Sequence, residues 1–453
     1  MKLRLCGPGR LDNLAAKEED TGTKTPGPTS GGSGRHMRAE LRLGEAVTAA
    51  RPQELIVIGA GVVGMATALT LADRGHRVTV VDGAEEAGRG TSFANGAQLS
   101  YAYTDALASP ATLAQFPRLW LARDPAFRFH PSLDPDFLRW GLAFLKNGSA
   151  GRFRRNTLAG LALALQSRRA LHALARRHRI DFAHETPGKI ILYRSAASFA
   201  AARAIAADKA AGGAEQIVLD ADGAVAVEPT LAAIRGEIAG AIHTPGEEVG
   251  DPYLFCTGAQ AALAASGARM RCGIEIERID TGGERPAIVT ARGTRLPADR
   301  IILCAGLGSV GLARGIGARL PIQPMKGYSV TAPPGSAAPT VSVTDAAGRV
   351  VFARLGGRMR IAGLADLGRG DTNVEPARLA ALVGSARAAL PDAADYDAIE
   401  SSWAGLRPMT PDSLPITRTI APGVIANTGH GALGWTYAAG SAERVAAIVE
   451  GES

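Results

Sequence analysis

Three glycines at fixed spacing are the first residues in this chain that could do chemistry. Gly59, Gly61 and Gly64 lie in the run IVIGAGVVG (residues 56–64). They follow a short apolar stretch, Glu54–Ile58, and open an Ala/Leu-rich one, Val62–Asp73. Glycines in that pattern permit a tight turn and a close backbone approach. A pyrophosphate beside Val62 and Val63 would then meet the positive end of a helix. Asp82 stands 23 residues past Gly59, at the end of a second β-branched run (78–81), where a carboxylate can accept from a ribose hydroxyl. Strand, helix and acid in register predict a dinucleotide site. They do not separate FAD from NAD.

Four further segments carry chemistry. RGTSFANGAQLS (89–100) is rich in small and hydroxyl residues, which lets the chain pass close under a pyrophosphate, with Ser92 and Asn95 as donors. IILCAG (301–306) reads as a buried strand whose Ala305 and Gly306 allow close approach to a dinucleotide. GLRPMTPD (405–412) sets Arg407 in a Pro-stiffened loop, and a guanidinium fork grips a carboxylate bidentately. NTGHGALGWT (427–436) is a glycine-dense turn running into a helical stretch that opens near Gly434. Backbone N–H groups there would stabilise charge on a reduced ring. His430 invites a general-base role, but its flanking glycines point to placement by backbone need.

The elements that position these residues read as an α/β chain. A βαβ unit with strands apolar on both faces predicts an open parallel sheet. Runs at 269–279 and 300–304 read as further strands. Gln323–Ala332 and 350–364 alternate more, as antiparallel strands do. The length of 453 residues suggests two domains. A Rossmann-like cofactor domain is expected from 51–110, 150–185, 245–312 and 400–453. A discontinuous α+β substrate domain on a mostly antiparallel sheet is expected from 111–149, 186–244 and 313–399. Residues 1–50 are polar and rich in Gly, Pro, Ser and Thr, read as a disordered extension, with Met37 just before the ordered part. Aromatics and prolines crowd 110–147 (Phe116, Trp120, Phe127, Phe129, Phe137, Trp140, Phe144), as a lid or as core between domains. Residues 156–178 form an amphipathic helix. Its arginines (Arg168, Arg169, Arg176, Arg177) are either solvated or apt to lie on an anionic bilayer.

The net charge of +7 comes without zinc-finger spacing or a compact basic run, which argues against nucleic acid. Cys6, Cys256, Cys272 and Cys304 suit neither a metal nor a disulfide framework, so no metal site is expected and a reducing compartment is. No stretch approaches the ~18 apolar residues of a membrane span.

Together the motifs resemble those of the D-amino-acid dehydrogenase small-subunit group, within the glycine oxidase/D-amino-acid oxidase superfamily of FAD enzymes. The resemblance runs from Glu54 to Gly451, and GLRPMTPD with NTGHGALGWT is its most specific part. It implies non-covalent FAD, with Gly59, Gly61, Gly64 and Asp82 on the ADP portion and Ser92, Asn95 and Gln98 along the pyrophosphate and ribityl path. It further implies Ile276 beside adenine, and the turn from Gly431 through Leu433 and Gly434 to Thr436 beside the flavin pyrimidine edge. Arg407 matches the substrate-carboxylate arginine, and Lys326 and Tyr328 fall on the strand bordering the active site. Two departures stand out. The run near 350–354 lacks the tyrosine that oxidases bring to the substrate, for which Tyr101 or Tyr103 would substitute. Thr417 replaces a glycine that often follows PDxxPI.

The reaction this implies is hydride transfer from the α-carbon of a D-amino acid to flavin N5. The amine is neutral, and the imino acid is hydrolysed to a 2-oxo acid and ammonia. No strong general base is evident, which suits catalysis by positioning and desolvation. A secondary amine such as sarcosine, proline or hydroxyproline is the alternative substrate. An NAD(P) enzyme would be colourless, and a non-catalytic flavoprotein subunit would bleach with no substrate. The expected partners are a small amino acid and an electron acceptor, a quinone or another. The expected location is the cytoplasm, with peripheral contact at the inner face of the cell membrane left open, as is oligomeric state.

Overall fold

The computed structural model describes residues 51–114 and 126–451. The N-terminal extension with Met37 and Cys6, and the aromatic residues Phe116 and Trp120, lie outside the described residues. The described residues cluster as one compact unit built around two large sheets.

The first sheet has six strands. In spatial order they are Ile416–Ala421, Val424–Thr428, Arg300–Leu303, Glu54–Ile58, Arg77–Val81 and Arg269–Arg271. All neighbours are parallel except the outermost pair, Ile416–Ala421 with Val424–Thr428. Buried parallel strands need cover on both faces. On one face the helices Val62–Asp73, Ala150–His178, Pro252–Ala265 and Gly434–Glu450 close over Leu55, Val57, Val78 and Val80. On the other, Ile56, Ile58 and Val81 pack with Ile279 and Ile288 of a small three-stranded sheet and Ala313 of the helix Gly308–Gly315.

The second sheet has nine strands, mostly antiparallel. Ser401–Met409 is its edge, followed by Gln323–Ala332, Arg358–Leu367, Val350–Leu355, Ser342–Asp345, Lys189–Tyr193, Gly240–Thr244 and Ile217–Leu219. Phe127–Phe129 pairs parallel beside Arg358–Leu367, and Ser342–Asp345 runs parallel to Lys189–Tyr193. The α/β class and the antiparallel second sheet agree with the sequence reading.

Three local expectations need correction. The run 350–364 is two strands: Gly356, at φ +55°, and Gly357 turn Val350–Leu355 back onto Arg358–Leu367. The run 269–279 likewise breaks at Gly273, at φ +67°, where Arg269–Arg271 leaves the parallel sheet and Ile276–Asp280 joins the small one. Arg407 is not in a loop. It sits in Ser401–Met409, where Pro408 is tolerated because this is the sheet edge.

The basic helix is longer than its pattern suggested, Ala150–His178. Its apolar stripe (Leu161, Leu163, Leu171, Leu174) is buried in the core, so that face is not available to a bilayer. Arg168 is committed to Glu248 and Arg177 to Asp73, while Arg169 and Arg176 are exposed. The described aromatics of 126–147 are core. Trp140 stacks on Phe144, and its Nε1–H donates to the Met409 carbonyl at 2.8 Å, closing the helix Pro135–Asn147 over the second sheet. No described helix is long and apolar enough to cross a membrane.

Candidate active site

A cavity of about 1030 Å³ runs from the turn after Glu54–Ile58 to the face of the second sheet. That is the upper end of the range for cofactor and ligand sites, roughly 300–1,000 Å³.

Its first end is backbone. Gly59 adopts φ +105°, and a Cβ there would stand 2.6 Å from the Cys304 carbonyl oxygen. A Cβ on Gly64 would stand 1.8 Å from the Gly59 oxygen, so only glycine lets the helix Val62–Asp73 start this close to its strand. That helix has no side-chain N-cap and no acidic residue in its first turn. The Val62 N–H donates to Ser92 Oγ at 3.1 Å, tying the second motif to the first. Asp82 accepts from Ala60 N at 2.6 Å and Ala84 N at 2.7 Å, which fixes its carboxylate at the rim. The positive helix end, the glycine cradle and an acid beside it are the donor set a dinucleotide requires, so the residues present fit FAD. Val62, Val63, Ser92, Asn95, Gln98, Ile276, Ala305, Gly306, Gly431, Leu433 and Gly434 all line the same cavity. Gly64 and Thr436 do not. Gly64 is a packing residue, and the Thr436 hydroxyl accepts from Ser100 N at 3.0 Å behind the wall.

The other end is side chain. Arg407 is half-buried in the cavity wall. Its Nη1 donates to the Leu364 carbonyl at 2.9 Å, and burial, partly offset by the charge of Asp366, pulls its pKa down to about 10. The guanidinium lies flat across Gly327, where a Cβ would come within 2.3 Å of Nη2. The strand register is irregular at that point, between Lys326 and Tyr328. Tyr328 lines the cavity, with its hydroxyl donating to Asp366 at 3.3 Å and burial raising its pKa. Lys326 does not line the cavity: it is buried, with Nζ 2.9 Å from Asp371 and 5.3 Å from the centre of the Tyr328 ring. Of the two candidate tyrosines, Tyr103 lines the cavity and Tyr101 does not. The Tyr101 hydroxyl donates instead to Glu248 at 3.0 Å beneath Arg168.

His430 is buried with Nε2 2.9 Å from Ser441 Oγ, and burial pushes its pKa down to about 3. A neutral imidazole so held is a poor proton acceptor. Gly429 at φ +76° and Gly431 at φ +58° flank it, so the backbone does set its place.

Among the cavity residues not anticipated are two cations, Lys189 and Arg349. A lone lysine opening an otherwise apolar strand, KIILY, was the available signal for the first. For Arg349 the signal was weak: it follows a glycine in a turn and could not be told from a surface arginine.

A family model described as FAD dependent oxidoreductase (DAO) matches residues 54–448. The chain belongs to this family of FAD-dependent oxidoreductases. Among curated relatives, D-amino acid dehydrogenase 2 of Ralstonia nicotianae is 41% identical over 87% of this chain and 96% of its own length. D-amino acid dehydrogenase 2 of Pseudomonas aeruginosa is 42% identical over 87% and 94%. Glycine oxidase from Geobacillus kaustophilus superposes with a TM-score of 0.70, at 22% identity over 89% of this chain and 95% of that one. That likeness speaks to fold.

Proposed function

We propose that this chain is an FAD-dependent D-amino-acid dehydrogenase, converting D-amino acids to 2-oxo acids and ammonia. The observation that carries the reading is Arg407: a half-buried guanidinium hydrogen-bonded to one carbonyl, in the same cavity as the glycine cradle. The names borne by relatives about 40% identical over most of the chain support the substrate class.

When bound, FAD supplies the acceptor for the hydride leaving the substrate α-carbon. Gly59, Gly61 and Asp82 would hold its nucleotide end, and Ser92, Asn95, Gln98 and the turn Gly431–Gly434 its remainder. Arg407 grips the substrate carboxylate and so fixes which α-hydrogen is presented. The apolar lining of Val351, Ala362 and Leu364 excludes water, which favours the neutral amine over the ammonium. Electrons leave to a respiratory acceptor, a reading supported by the relatives being named dehydrogenases. Exposed Arg169 and Arg176 would serve contact with an anionic membrane face, were that acceptor held there.

The experiment is anaerobic bleaching of the purified yellow protein by D- and L-amino acids, sarcosine and hydroxyproline. Bleaching by D-amino acids is expected. Bleaching by secondary amines alone would keep the fold and move the substrate. A protein that cannot be loaded with FAD would overturn the reading.

A further inference from the structure

Three lysines are buried among the described residues: Lys189, Lys209 and Lys326. Two are neutralised on the spot. Lys209 lies 3.0 Å from Asp105 and donates to the Ala102 carbonyl at 2.9 Å, and Lys326 lies 2.9 Å from Asp371. Lys189 differs. Its Nζ donates to Ser100 Oγ at 2.8 Å and rides 4.4 Å from the centre of the Tyr103 ring. No carboxylate oxygen among the described residues comes within 4.0 Å of it. It is also the one of the three that lines the cavity.

The charges along that cavity are not evenly spread. Its carboxylates, Asp82 and Glu275, both stand at the nucleotide end: Asp82 caps the Gly59 turn, and the Ile274 N–H donates to the Asp82 carbonyl. Toward the second sheet the charged lining residues are Lys189, Arg349 and Arg407, all cationic. They form one wall. Arg407 holds the Leu364 carbonyl, a Cβ on the preceding Gly363 would be 2.8 Å from the Arg349 carbonyl, Arg349's charge acts on the Tyr103 phenol, and Lys189 lies against Tyr103's ring. The charges of Glu247 and Asp105 favour the Lys189 ammonium, while the like charge of Lys209 opposes it. Burial, joined by Lys209, outweighs the two carboxylates and draws the Lys189 pKa down to about 8. A buried cation is retained at a cost unless something pairs with it, and Lys189 lines the cavity.

We propose that Lys189 is a second anion subsite, so that the preferred substrates are D-amino acids carrying a side-chain carboxylate, of the D-aspartate and D-glutamate class. This rests on the reading of the chain as a D-amino-acid dehydrogenase. Arg407 takes the α-carboxylate, and Lys189 takes the distal one across the Tyr103 ring. The reaction is unchanged.

The test compares kcat/KM for D-glutamate and D-glutamine in the FAD-loaded enzyme, with the wild type, Lys189→Met and Lys189→Arg. A charge-assisted contact present for the acid and absent for the amide predicts a preference of roughly 10–100-fold for D-glutamate. That ratio collapses in Lys189→Met and survives largely in Lys189→Arg. Equal turnover of acid and amide by the wild type would overturn the proposal, as would a Lys189→Met variant that slows both alike. A second measurement needs no turnover and no variant. The flavin absorbance of the wild-type holoprotein is titrated with glutarate and with butyrate, and glutarate should bind at least tenfold tighter. Equal affinities reject the subsite. If no D-amino acid reduces the flavin while glutarate still wins, the subsite stands and the reaction assignment falls. If D-alanine reduces it and D-glutamate does not, the subsite falls and the assignment stands.

Discussion

Replacing Arg407 by alanine removes the one guanidinium that the edge strand carries into the cavity beside Tyr328. One of its N–H groups is occupied by Leu364, and the fork beyond it lies over Gly327 with no acidic side chain bonded to it. Two charge-assisted hydrogen bonds to a substrate carboxylate, at about 1.5–3 kcal/mol each, amount to about 3–6 kcal/mol. At about 1.4 kcal/mol per decade, kcat/KM for a D-amino acid should fall roughly 10²- to 10⁴-fold. Arg407→Lys keeps a charge but loses the planar fork, and should recover only part of this. FAD should stay bound, because no element of the glycine cradle touches Arg407. The assay is anaerobic flavin reduction at varied substrate concentration, run in parallel with the matching D-amino acid amide. The amide has no carboxylate, so the variant should treat it much as the wild type does. Equal losses on acid and amide would refute the carboxylate role and make Arg407 a structural residue.

Three further outcomes follow from the same geometry. Gly327→Ala puts a methyl where Arg407 lies, 2.3 Å from Nη2, and should mimic the Arg407 variants in KM while retaining the flavin spectrum. Gly59→Ala meets the Cys304 carbonyl at 2.6 Å in a left-handed conformation, so this variant should purify with little FAD, read from its visible absorbance. Glu248 is buried, which raises its pKa, but hydrogen bonds from His172 and His184 and the charge of Arg168 outweigh this and bring it to about 2, below its ordinary 4.5. Its contribution is therefore present above about pH 4.5 and is lost as pH falls toward about 2, on the order of 2–3 kcal/mol. Glu248→Gln should thus lower the urea midpoint at neutral pH, and the gap from wild type should close in acid. A gap that persists unchanged to low pH would show that the cost is steric.

The parts of the fold that rest on short-range rules were legible. Glu54–Ile58, Val62–Asp73 and Asp82 are fixed by consecutive residues whose types demand a strand, a tight turn and a helix, and they lie where the pattern set them. What was not legible depended on partners distant in sequence. Nothing in the run 350–364 distinguishes one long strand from a hairpin except Gly356-Gly357, and a glycine pair is weaker than the alternation around it. Arg407 read as a loop residue because Pro408 and Pro411 follow it closely. Whether a proline sits in a loop or on an outermost strand depends on the sheet order, which local sequence does not carry. Tyr101 and Tyr103 alternate with one residue between them, yet the first turns to Glu248 and the second to the cavity. Glu248 is 147 residues from Tyr101, and no local signal could weigh that bond.

The same distinction bears on the substrate end of the cavity. Its chemistry comes from one arginine on the edge strand, one arginine in the turn before Val350–Leu355, and one lysine on Lys189–Tyr193, three segments brought together only by the second sheet. Burying Lys189 there with no carboxylate oxygen among the described residues within 4.0 Å works against folding, since its ammonium gives up solvent for one hydroxyl and one ring face in return. A core selected for stability alone would exchange Lys189 for an apolar residue, as its neighbours Ile190, Ile191 and Leu192 already are. Its retention at the wall of the chamber is best understood as a cost offset on binding. An anion entering the cavity supplies to Arg407 and Lys189 the partner that the protein withholds. The enzyme without substrate should accordingly be less stable than the enzyme with a non-reactive dicarboxylate bound, and a rise in Tm with glutarate that exceeds the rise with butyrate would measure that difference directly.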